Sequence, residues 1–311
     1  MTTFFYLFSK LLPAYLYVAG GYASRRWLRL SQDLVAKTLF YGCVPIVVFK
    51  GALFSEIAPF LLLVALAFGV SSLMAIGASA FTGWFKDTVS KGTLRCAFGY
   101  FNIGWFGIPI VQAIYGNSGA NVMTALYVGG MLFGNTVGFL LIASEQPGKS
   151  SALSKLFKVP AIYMAAGAFL LHWLGLRAPL MNNHALVLAL DVATLMTSVL
   201  GMGLVGMSVA NVAIKTIDWR KLGLLLGVRV LLAAAIVGSL AFTLNWLGYL
   251  QPMELKVFLL MPLLPIAANI LVFTSSLRTE NEFIGVGLLA STVLSCALLF
   301  AWLAYSGSPV K

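Results

Sequence analysis

The sequence predicts an all-α membrane protein: ten transmembrane helices in two inverted five-helix repeats, with helices four and nine broken and crossing. Three observations lead there. Of 311 residues, 60% are hydrophobic and 9% charged, and the mean hydropathy is +0.96, whereas soluble domains are about half apolar and about a quarter charged. The apolar residues gather into ten runs, each near the ~20 residues that a spanning helix needs. Glycine and proline interruptions then recur in the fourth run of each half.

The first run, 4–23, carries Lys10 and Pro13, and the second, 34–53, carries Pro45. Both prolines read as kinks, which spanning helices tolerate, and the Lys10 stem lets its ammonium snorkel to a surface. Met1-Thr2-Thr3 lacks the basic start of a signal peptide, so the first span is expected to stay attached. The third run is 58–82, the fourth 94–115 and the fifth 119–142; the sixth, 160–176, is short and contains His172. The seventh, 185–210, has Asp191 about two turns in, and the eighth, 221–247, has Arg229 at a similar depth. The ninth, 255–277, and the tenth, 283–304, complete the set.

Basic residues set the orientation. Arg25, Arg26, Arg29, Lys37, Lys86, Lys91, Arg95, Lys149, Lys155, Lys158, Lys215, Arg220, Lys221 and Arg278 lie in the odd-numbered loops, fourteen of the 20 Lys and Arg. Lys50, Arg177, Lys256 and Lys311 lie on the other side. By the positive-inside rule the odd loops are cytoplasmic, and both termini face out, to the periplasmic side of an inner (plasma) membrane. The net charge of +11 is thus a topology signal and does not imply a nucleic-acid partner. Trp27, Trp84, Trp173, Trp219 and Trp246 near span ends read as interfacial anchors, and His172 and His184 flank a short outward loop. The longest polar gap, 143–159, divides the chain into a first repeat (1–142), a central cytoplasmic loop and a second repeat (160–311). Five spans per half make the second half inverted, a pattern of secondary transporters.

The fourth run holds Asn102, Gly104, Gly107 and Pro109, and the ninth holds Pro262, Pro265 and Asn269. A helix broken inside the bilayer bares N–H groups on one stub and C=O groups on the other, each costing several kcal/mol unless satisfied. The N–H end suits a carboxylate and the C=O end a cation. Asn102, Gln112 and Asn269 offer side-chain donors and acceptors to orient a ligand there.

These stretches carry a resemblance. FNIGWFGIPIVQAIYGNSG (101–119), LPIAANILVF (264–273), ENEFIGVGLLASTVLS (280–295) and LVAKTLFYGCVPIVVF (34–49) resemble the auxin efflux carrier family, in its PIN-like bacterial branch of malonate and malate permeases. The resemblance implies ten helices in two inverted repeats, crossing helices four and nine, and an elevator-like motion against a scaffold of helices one, two, six and seven. It implies Pro109 and Pro265 as crossover prolines, with Asn102 and Asn269 on the flanking stubs. The candidate substrate-binding set is Asn102, Gly107, Pro109, Ile110 and Gln112 with Pro265, Ile266 and Asn269. Asp191 and Arg229, ionisable and inside spans, are candidates for ion or proton coupling. The seventh span lacks the proline often found there in the family, and the central loop is short.

The expected function is secondary active transport of a small organic anion, a mono- or dicarboxylate. The coupling ion stays open between H⁺, Na⁺ and none, and a homodimer is compatible. The alternative is a channel or a membrane sensor without coupled transport, although no filter element or charged ring is visible. An enzyme is not expected: there are nine acids and two histidines, no H-E-x-x-H zinc site and no paired carboxylates. Cys43, Cys96 and Cys296 lie far apart and read as small apolar residues, not as a metal or disulfide framework.

Overall fold

The computed structural model describes residues 2–145, 160–210, 217–277, 279 and 282–305. Among the described residues the chain is all-helical, with one isolated antiparallel bridge and no strand. The central residues 146–159 lie outside the described residues, as do Lys149, Lys155, Lys158, Lys215, Arg278 and Lys311.

Helix α1 is Thr2–Trp27, and α2 is Gln32–Phe54 with a π turn at Leu39–Cys43. Helix α3 is Ile57–Phe85, tightening to 3₁₀ over Ala78–Phe85. The short α4 is Lys91–Gly99. Helix α5 (103–115) starts with a π turn at Ile103–Gly107, and α6 (117–143) has another at Gly134–Gly138. Then come α7 (Pro160–Trp173), the one-turn α8 (Arg177–Met181), α9 (His184–Val209) and α10 (Trp219–Trp246). Helices α11 (Pro252–Phe258), α12 (Asn269–Leu277) and α13 (Glu282–Tyr305) complete the order.

Local chemistry explains the boundaries. Ser31, Ser90, Asn183 and Asp218 each accept main-chain N–H groups at the starts of α2, α4, α9 and α10. Gln251 and Glu254 form a capping box on α11. Gly116, at φ 68° and ψ −159°, separates α5 from α6 in a backbone region that only glycine adopts freely. Beyond it the chain doubles back, so that Gly119 faces Val111, Met123 faces Gly107 and Tyr127 faces Gly104.

Six stretches among the described residues are long and apolar enough to cross a membrane: Gln32–Phe54, Ile57–Phe85, Ile103–Ala143, His184–Leu204, Trp219–Trp246 and Glu282–Tyr305. Their outward faces carry exposed Leu61, Leu188, Leu195, Leu231, Phe242 and Val293, apolar surface that lipid covers and water would not. The chain is a multi-pass membrane protein. Trp27, Trp84, Trp173, Trp219 and Trp246 are all exposed at or near helix ends, where interfacial anchors belong.

The two halves interlock. Gly21 of α1 lies against the Gly203 main chain, and Gly206 lies against that of Val18, so a Cβ at Gly21 or Gly206 would overlap backbone. Small residues of this kind let spanning helices meet main chain to main chain. Helix α2 packs on α7, and Phe60 of α3 meets Phe169 of α7 edge-on, with ring centroids 5.3 Å apart. Lys50, expected in an outward loop, is inside α2 and buried, held by Asp191 of α9. Arg177 of α8 donates to the Leu53 and Phe54 carbonyls at the end of α2 and pairs with Glu56.

Candidate functional site

Both proline-bearing runs are interrupted, and the interruptions touch. Helix α4 ends at Gly99, and Tyr100 is extended at φ −100°, ψ 105°. In the ninth run α11 ends at Phe258, a 3₁₀ turn spans Met261–Leu263, and helix resumes only at Asn269. Phe101 and Ile266 form the antiparallel bridge. Around them Asn102 N–H donates to Pro265 O at 2.9 Å, and Ala267 N–H donates to Tyr100 O at 3.0 Å.

The fourth-run break thus lies at Tyr100–Asn102, ahead of Pro109. Pro109 is the seventh residue of α5, just past the π turn, with helical backbone on both sides of it. The backbone leaves helical angles where Gly99 and two aromatic residues precede Asn102. Pro265, by contrast, is inside its break, and both of its nearest neighbours, Leu264 and Ile266, are buried.

Arg229 of α10 closes the carbonyl side. Its Nε donates to Ala97 O at 3.1 Å, Nη1 to Leu264 O at 2.9 Å and Nη2 to Pro265 O at 3.4 Å. The guanidinium carbon is 4.5 Å from the centre of the Phe101 ring, a cation–π distance. One side chain therefore ties the last turn of α4 to the unwound segment of the other half. Arg229 is 2% exposed.

Most of the other carbonyls at the breaks are engaged as well. Phe101 O accepts from Ile103 N–H, Asn102 O from Gly107 N–H, Ala267 O from Ile270 N–H and Ala268 O from Leu271 N–H. Donors are left over. The N–H groups of Gly104, Trp105 and Phe106 at the start of α5, and of Ala268 and Asn269 at the start of α12, find no acceptor outside their own helix among the described residues. The Asn102 amide Nδ2 is buried without a partner too. The junction has engaged most of its main-chain acceptors and kept the Asn102 amide donor free.

Asn269 Nδ2 donates to Tyr100 Oη at 2.9 Å, and the Tyr100 ring stacks on Phe273 with centroids 6.1 Å apart. Tyr100 thus reaches Asn269, while Phe101 faces Arg229. Ile266 N–H is held by Ser291 Oγ at 3.1 Å. Gly107 touches Leu264, which brings it to the junction, and Ile110 is buried. Gln112 lies nearer the Gly116 turn, bonded to Asn117 Oδ1 at 3.2 Å, and Asp191 pairs with Lys50.

Of the ionisable candidates, then, the structure brings Arg229 to the junction and joins Asp191 to a helix of the other half. Tyr100 and Phe101 were not expected from the sequence, where nothing but adjacency to Asn102 marks them. Lys50 had a signal, since the apolar run continues past it as Gly-Ala-Leu-Phe. An apolar groove of about 480 Å³ between Trp219 and the Val286–Ala297 face of α13 includes none of these residues.

Comparison of the chain with protein-family models and with curated protein sequences finds no match.

Proposed function

We propose that the chain is a secondary active carrier of the auxin efflux type, moving a small organic anion held where the two interruptions cross. In this reading the helices make ten passes in two inverted five-helix repeats, and the cargo sits near mid-membrane. The packing of α1 on α9 and of α2 on α7 supports it, because a two-fold inversion exchanges those two contacts. Both termini face outward, as the basic residues of the sequence suggest.

One observation carries the proposal, the imbalance of hydrogen-bonding groups at the junction. Two helix starts present N–H groups without an acceptor outside their helices, and Asn102 adds a buried amide, its own main-chain N–H sharing the Pro265 acceptor with the Arg229 guanidinium. Such a surface attracts a carboxylate and repels a cation.

The test is counterflow in proteoliposomes loaded with unlabelled carboxylate and exposed to the labelled compound. Saturable labelled uptake driven by internal substrate is the expected result. Flux that rises linearly with concentration and ignores internal substrate would mark a pore and overturn the carrier reading.

A further inference from the structure

Arg229 is a buried cation without an anion. It has no ion-pair partner among the described residues. Six of the nine acids have other occupations: Asp33 pairs with Lys37, Glu56 with Arg177 and Asp191 with Lys50. Glu145 accepts from Gly92 N–H, while Asp218 and Glu254 cap helix starts. What surrounds the guanidinium is three carbonyl oxygens and an aromatic face, which orient the charge and cannot neutralise it.

An uncompensated charge at this depth is expensive, and proteins retain one where it serves a ligand or an ion pathway. A guanidinium has five N–H donors, and the three carbonyl bonds leave two. Pro265 O accepts from both Arg229 and the Asn102 main chain, so the cation is one shared acceptor away from the residue with the free amide. The other buried lysine or arginine among the described residues, Lys50, already has its carboxylate.

Building on the carrier reading above, we propose that Arg229 is the resident counter-charge of the cargo, and that the site takes a carboxylate monoanion. One fixed positive charge is balanced by one carboxylate. A second carboxylate would enter the low-dielectric junction without a cation to meet it, and a neutral amide would leave Arg229 unbalanced. The occupied junction is then electrically neutral, whereas the empty one carries a full positive charge.

The experiment uses the wild-type protein in detergent and a matched ligand series: a small monocarboxylate, its neutral amide and the dicarboxylate of the same chain length. Binding is read by thermal shift and by calorimetry. The monocarboxylate is expected to bind at least about tenfold more tightly than either relative, the margin a single unmatched buried charge readily produces. Equal or tighter binding of the amide or the dicarboxylate overturns the proposal while leaving carboxylate transport intact. If no carboxylate gives saturable binding or uptake, the carrier reading falls and takes this proposal with it. Arg229→Lys, which keeps the charge and loses the fork, is expected to retain the preference for the monoanion over the amide, and Arg229→Met to lose it. If Arg229→Met does not fold, the wild-type series alone decides.

Discussion

Lys50 Nζ donates to Asp191 Oδ1 across 2.6 Å, joining a helix of the first half to one of the second, 141 positions along the chain. The lysine is buried and the carboxylate is partly exposed. Asp191→Asn strands a buried ammonium and is expected to cost about 2–4 kcal/mol, toward the lower part of the range for a broken buried pair because the acid is accessible. Lys50→Met in the Asp191→Asn background should recover most of that loss. Unfolding midpoints in detergent, arranged as a double-mutant cycle, check both statements; additive losses would show that the pair is not coupled.

Asn102→Ala removes a buried donor that has no protein acceptor. Stability of the ligand-free protein should therefore stay the same or rise by up to about 1 kcal/mol, since no hydrogen bond is lost. Counterflow of carboxylate, by contrast, should disappear. A variant that unfolds would mean that the amide holds the junction together.

Gly116→Ala puts a side chain at φ 68°, ψ −159°. The cost should be about 1–3 kcal/mol, the strain of a non-glycine residue in that region. Gly20→Ala is the control, because α1 is helical there and a Cβ meets nothing within 4 Å; there the change should be near zero or favourable. Thermal melts of the two variants side by side give the comparison.

The Arg177 guanidinium beside Glu56 holds its carboxyl below the ordinary 4.5. A depressed folded-state pKa adds stability above the unfolded value and gives it back as pH falls through the folded one. Wild-type protein should therefore lose stability relative to Glu56→Gln between about pH 5 and pH 3, by less than about 1 kcal/mol because the pair is solvent-screened. Melting temperatures of both proteins across that interval test the sign.

Much of this molecule was legible in the sequence because a bilayer demands long apolar runs and places tryptophan at their ends. The region of each interruption was legible too, since glycine and proline cluster there. The exact point of unwinding was not. Pro109 is the obvious breaker, yet the backbone around it stays helical, and the chain unwinds earlier, where Phe101 can pair with Ile266 of the other half. Periodicity contains no term for that long-range bridge. Arg229 and Asp191 were recognised as unusual, but their partners were not, because Lys50, Ala97 and Leu264 are remote in sequence and three of Arg229's acceptors are main-chain oxygens without any residue signature.

The glycine contacts between α1 and α9 have a mechanical consequence. Where Gly21 meets Gly203, and Gly206 meets the Val18 carbonyl, peptide planes touch with no side chain between them to deform. A seam of this kind behaves like meshed teeth, and shear along it would drive carbonyls into one another. Any large rearrangement must choose a different slip plane. A more pliant contact is where Leu204 and Met207 of α9, with Leu39 and Cys43, close around Trp105: thioether and branched alkyl groups around one indole, able to repack where peptide planes cannot.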